Sequence, residues 1–133
     1  MDDLQKRAYL RATRMQVGLS QQDIAAYFGV DMGMVSNWEN AKKAAFPVPD
    51  DVLDYIRRIK RIHDEEVVRR LEAIGDACSV KLTFWRSQVI YERAGMQGYS
   101  AIENGINLAV ATILEYDGVQ VEWEYPPRNA PAE

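Results

Sequence analysis

The 133-residue chain has one cysteine, one histidine and a net charge of −4, and each shortage removes a class of protein. Cys78 alone cannot form an internal disulfide, and no set of Cys and His around it has the spacing of a zinc site. It is expected to act as a small buried hydrophobe. His63 sits in a charged segment and reads as a solvated or interface residue rather than a catalytic base or ligand. No run of about 18 apolar residues occurs, and the N-terminal residues are acidic and then basic without a signal-peptide core. Membrane spanning and export are therefore not expected, and the expected compartment is the cytoplasm. No Ser-His-Asp, Cys-His or paired-carboxylate constellation has a recognisable context, and Gly95-Met96-Gln97-Gly98 is too short for a nucleotide loop and lacks its lysine. The reading is of a protein without catalysis, cofactor or metal.

Charge is unevenly divided. Residues 1–46 carry six basic side chains against five acidic, residues 47–78 six against eight, and residues 79–133 four against seven. Positive charge is thus relatively concentrated at the N-terminal end, and a nucleic-acid footprint depends on such local surfaces rather than on the total.

What is present there is a helix-turn-helix pattern. Ser20 is a good N-cap with Asp23 three residues on, and Ile24, Ala25 and Phe28 form one apolar face. Gly29 permits the positive φ of a tight turn, and Asp31 can cap a second helix whose inward face is Met34, Val35 and Trp38. Trp38, on that inward side, is a core anchor before it is a base-stacking residue. The outward residues Met32, Gly33, Ser36, Asn37 and Asn40 are short enough in side chain to enter a major groove. Arg11 and Arg14 before the motif, with Lys6 and Arg7, and Lys42 and Lys43 after it, could meet phosphates.

The motif Gly18-Leu19-Ser20-Gln21, the small Ala25, Gly29-Val30, Val35 and Trp38-Glu39 closely resembles the phage-repressor (XRE, Cro/CI-like) type of helix-turn-helix over residues 7–46. The resemblance implies that Gln21 contacts a phosphate, that Met32, Gly33, Ser36 and Asn37 face base edges, and that Asn40 touches the backbone. The chain departs from that family at Met32 and Gly33, where polar readers are common; Met can contact a thymine methyl and Gly offers only its backbone.

Elsewhere, residues 3–16 are expected to form a first core helix with Leu4, Ala8, Arg11 or Ala12, and Met15 on its stripe. The two prolines of Phe46-Pro47-Val48-Pro49 make residues 41–49 an extended turn. A long helix then runs from a cap at Asp50 to about Asp76, with Val52, Ile56, Ile59, His63 or Ile62, Val67, Leu71 and Ile74 as its drifting apolar stripe. Arg57, Arg58, Lys60 and Arg61 could extend a DNA footprint, but alternating charges on a long helix read first as its wet face. Residues 80–85 and 119–125 alternate as strands, separated by a short helix within 86–94 and a helix capped by Ser100. The fold class is therefore α-rich α+β: an all-α helix-turn-helix domain with the long helix (1–76), a small β-α-α-β domain (77–126) and a disordered tail (127–133). The order of elements over residues 50–125 is also similar, more loosely, to YdiL-like and anti-CRISPR-associated autorepressors, which implies a C-terminal dimerisation domain.

A two-stranded sheet is marginal alone, so a second copy would complete it, with Phe84, Ile102, Ile106, Ile113, Val121 and Trp123 at the seam. Trp85, Trp123 and Tyr125 read as sheet packing or seam before they read as a ligand pocket. The leading expectation is a homodimeric repressor binding double-stranded DNA through residues 32–40, with half-sites roughly 34 Å apart. The second is an antitoxin-type module whose C-terminal unit grips a protein partner, and a third is a ligand-responsive sensor.

Overall fold

The computed structural model describes residues 1–126, and contacts divide the chain into two units that meet inside one helix, between Ile62 and His63. The C-terminal unit thus takes the second half of a helix that the sequence reading assigned wholly to the N-terminal domain. The expected tail at 127–133 lies outside the described residues. No helix among them is long and apolar enough to cross a membrane.

The first unit opens with α1 (Asp3–Val17), started by a reciprocal cap in which the Asp2 carboxylate accepts the Gln5 N–H and the Gln5 side chain accepts the Asp2 N–H. Its buried face is Arg7, Leu10, Thr13 and Val17. This corrects the expected stripe, because Leu4 and Met15 are 59% and 64% exposed. Two of the four inward positions are polar, so apolar spacing pointed to the opposite side of the helix.

Helices α2 (Gln21–Phe28) and α3 (Met32–Glu39) follow as expected. Ile24, Ala25 and Val35 are fully buried and Trp38 nearly so, and each large apolar side chain removed from water contributes about 1.5–3 kcal/mol. Turns and bends occupy 41–49 with Val48 buried, and α4 (Asp50–Ile74) then begins. In this unit Val52, Leu53, Tyr55 and Ile56 of α4 are buried, whereas Ile62 is half exposed. Tyr55 stacks on Tyr27 at 4.0 Å and meets Phe28 edge-on at 5.3 Å, which fixes α4 against α2.

The second unit contains the rest of α4, β1 (Ser79–Thr83), α5 (Gln88–Arg93), α6 (Ser100–Tyr116) and β2 (Gln120–Glu124). The strands pair in parallel, with Val80 opposite Val121 and Leu82 opposite Trp123. Parallel pairing follows from the helical crossover that returns the chain to its starting edge. Val80, Leu82 and Val121 face a core of Val67, Ile106, Val110, Ala111 and Leu114. Ser100 is the first residue of α6 rather than its cap; Tyr99 stands at the cap position without a side-chain bond, and the Ser100 N–H donates instead to Gln88 Oε1 at 2.8 Å. Cys78 is exposed, against the buried role expected for it.

Polar side chains join these elements. Arg70 donates to both carboxylate oxygens of Glu103 at 2.6 and 2.7 Å, to Asn107 Oδ1 at 2.8 Å and to Glu66 at 3.0 Å. Hydrogen bonds to Glu103, outweighing desolvation, hold Arg70 more firmly protonated than usual. Burial pushes the Glu66 carboxyl up, but hydrogen bonds from Arg69 and Arg70 outweigh it and hold the group below its ordinary value. Asn104 grips both backbone groups of Trp85, and Asn107 donates to the Thr83 carbonyl.

Candidate nucleic-acid interface

The interface is built on the α2–α3 turn. Ser20 accepts the Asp23 N–H while Asp23 accepts the Ser20 N–H, which fixes the start of α2. Gly29 ends α2 at φ +66°, a conformation that costs a side-chain-bearing residue energy, and Asp31 caps α3 by accepting the Met34 N–H at 2.9 Å. With Val35 and Trp38 turned inward, α3 presents Met32, Gly33 and Ser36, all exposed, and Asn37, half buried. A Cβ on Gly33 would approach the Asp31 carboxylate to 3.1 Å, so glycine keeps the leading edge of α3 slim without disturbing its cap.

Arg11, Gln21, Ser36, Glu39, Asn40 and Ala41 line one shallow depression beside α3. Three elements of the expected reading set, from α1, α2 and α3, thus meet in one place. Lys42 and Lys43 follow on the exposed turn, with the Lys42 N–H donating to Asn40 Oδ1 at 2.9 Å. Arg11, Lys42 and Lys43 are exposed cations at this edge.

Arg14 is held differently from these. Its guanidinium donates to both oxygens of Glu39, at 2.7 and 3.0 Å, and to the Leu19 carbonyl, and it is only 12% exposed. Its charge is neutralised inside the fold, which leaves little for a phosphate. Gln21 lies in the depression but donates to the same Glu39 at 3.0 Å. Glu39 thereby ties the ends of α1, α2 and α3 together, a role that the sequence reading gave to no residue.

Arg7 is the other residue that reading missed as a structural element. It is 1% exposed, and its guanidinium donates to the carbonyls of Asn37, Asn40, Lys43 and Phe46 at 2.8–3.0 Å and to Asp3 at 2.7 Å. No local signal could have announced it, because the carbonyl partners lie 30 to 39 residues away and carry no side-chain signature.

The residues expected at a C-terminal seam separate into two groups. Ile106 is buried in the core of its own unit, and Ile102 and Val121 are partly buried against that core, so these three have little surface to offer a partner. Phe84, Trp123 and Ile113 keep surface: Trp123 and Ile113 are each 41% exposed and Phe84 is partly so. Phe84 meets Trp123 at 6.3 Å and Tyr125 at 6.5 Å in edge-on contacts, and the three rings line an open apolar cleft.

Residues 10–45 match the family described as helix-turn-helix, of the XRE type, and the match spans the capped α2–α3 pair, the depression and both lysines. No curated protein matches the chain.

Proposed function

We propose that this chain, a DNA-binding transcription regulator by its XRE-type helix-turn-helix, acts as a homodimeric repressor that inserts α3 into successive major grooves of an inverted-repeat operator. The observation carrying this reading is the arrangement of α3: the helix is capped and anchored from behind while Met32, Gly33, Ser36 and Asn37 remain available in front. Asn37 and Ser36 have side chains suited to base edges, and Met32 suits a thymine methyl. Arg11, Lys42 and Lys43 supply phosphate contacts on either side. The three cations are few, so one protomer binds with modest affinity and a second supplies specificity.

Support for a second copy comes from the C-terminal unit. Among the described residues its sheet has two strands, each with one neighbour, and two-stranded sheets are marginal without further cover. Trp123, Tyr125, Leu108, Ile113 and Tyr116 are exposed there at 41%, 64%, 50%, 41% and 92%. Occlusion of a promoter by the bound dimer would then repress transcription.

The test pairs two substitutions on a selected operator. Asn37→Ala is expected to weaken binding by about 1–3 kcal/mol at one base position, and Lys42→Ala to weaken all sequences alike with a salt slope smaller by about 1. Uniform loss for Asn37→Ala would remove it from base reading. Trp123→Asp is expected to give monomers by sedimentation, since an unpaired charge is costly to bury at a seam; an unaltered dimer would move the seam elsewhere.

A further inference from the structure

We infer that Arg7 is a positioning residue for DNA binding: it fixes the 40–46 turn on the end of α3, so that Lys42 and Lys43 are presented in register with the reading face. The inference rests on the function proposed above and extends it to a buried residue that no DNA could touch.

The geometry is a multi-point clamp. One terminal nitrogen of Arg7 donates to the Asn37 and Asn40 carbonyls at 2.8 and 2.9 Å, with the Trp38 carbonyl at 3.4 Å, and the other donates to Lys43 and Phe46 at 2.9 and 3.0 Å. The Nε–H is taken by Asp3 at 2.7 Å. All donors of the guanidinium are therefore engaged, and four of its carbonyl partners recur at every third residue from 37 to 46. Carbonyls at the end of a helix lack partners within it, and a buried cation there also meets the negative end of the helix dipole. Lys42 and Lys43 fall between the clamp points at Asn40 and Phe46, and both side chains are exposed.

The turn has few other supports of its own. Its further bonds are Asn40 N–H to the Asn37 carbonyl, where the segment leaves α3, and, within the segment, Lys43 N–H to Asn40, Phe46 N–H to Lys43 and Lys42 N–H to the Asn40 side chain. Residues 40–47 are exposed throughout. Without Arg7 the segment would be tied to the fold mainly through its two ends. A lysine at position 7 keeps the charge but has three donors and no fork, so it cannot hold both pairs of carbonyls at once.

Two measurements on Arg7→Lys test the inference. The first, without DNA, is amide hydrogen exchange. Faster exchange at Lys42, Lys43 and Phe46, with α2 amides still protected, is expected; unchanged exchange in this segment would overturn the inference whatever the DNA result. The second is a double-mutant cycle with the paired change Lys42→Ala and Lys43→Ala, read as affinity for a selected duplex at fixed salt. In the parent chain the paired change is expected to cost about tenfold, and in the Arg7→Lys background under about threefold, because the lysines are no longer held in place. Equal losses in both backgrounds would overturn the positioning role and leave Arg7 as a folding residue only. If Arg7→Lys does not fold, Asp3→Ala takes its place, since it removes the one carboxylate that orients the guanidinium; the same two signatures are then expected at smaller size, and their absence overturns the inference. A turn that loosens as expected in a chain whose parent binds no duplex would instead contradict the DNA reading itself.

Discussion

The N-terminal unit aims its buried arginine at backbone, whereas the C-terminal unit aims its arginine at side chains. Arg7 holds carbonyls from four residues between 37 and 46, while Arg70 holds Glu103, Glu66 and Asn107. The difference has a consequence for surface. Backbone-directed bonds fix a chain path, here the end of α3 and the turn behind it, and leave neighbouring side chains such as Ser36 and Lys42 facing outward. Side-chain-directed bonds fix how helices pack, α4 on α6, and do nothing to cover the aromatic end of a two-stranded sheet. One unit therefore presents a fixed chain path beside Met32, Ser36 and Lys42, and the other an open cleft lined by aromatic rings.

Substitution at each hub separates the two modes, and the N-terminal hub should show the larger effect. Arg7→Met is expected to cost about 3–5 kcal/mol by urea denaturation, because the carbonyls of Asn37, Asn40, Lys43 and Phe46 lose the donors of a guanidinium that is only 1% exposed, while Asp3, 49% exposed, regains water. Arg70→Met is expected to cost about 2–3 kcal/mol, since Glu103 and Glu66 keep 18% and 21% of their side-chain surface and can recover some solvation. Equal costs would remove the distinction between a backbone clamp and a packing pair. Ser20→Ala should cost about 1 kcal/mol, the usual worth of an N-cap, and should unfold cooperatively with the rest of the first unit. A loss well below that would mean that the Gly18–Leu19 entry alone starts α2.

Acid titration sharpens the comparison with the smallest perturbation. Glu66 has its folded value lowered by Arg69 and Arg70 against an opposing burial effect. Its contribution is therefore complete above the ordinary glutamate value of 4.5 and is lost as pH falls through the lowered one. Hydrogen exchange followed across that fall should show the α4–α6 packing of the second unit loosening, and Glu66→Gln should remove that part of the pH dependence. An unchanged profile in Glu66→Gln would assign the acid sensitivity elsewhere.

The helix-turn-helix was legible because its determinants are local. Ser20 and Asp23, Gly29, and Asp31 act on groups within a few residues, so spacing alone carries the information. Helix α1 was legible as a helix but not in its orientation, because its inward face holds Arg7 and Thr13 and the apolar residues Leu4 and Met15 point out. Buried polar residues defeat apolar periodicity wherever distant backbone supplies their partners. Distance along the chain likewise hid the commitment of Arg14, whose partner is the Glu39 carboxylate 25 residues on. In the second unit the strands and α6 were legible from alternation and period, but not which apolar residues stay outside. Ile106 and Ile113 lie seven residues apart on α6, yet the first is buried and the second 41% exposed: the buried face of α6 also takes in Ser100 and Asn107, so it does not coincide with the helix's apolar side.

Whether α3 reads DNA from a dimer is decided by selecting random duplexes on the purified chain at about 0.15 M salt, with sedimentation in the same buffer. A dimer and an enriched inverted repeat whose half-sites lie about one helical turn apart are expected, with enrichment lost for Asn37→Ala at one position of each half-site. A folded chain that enriches no sequence would contradict that reading.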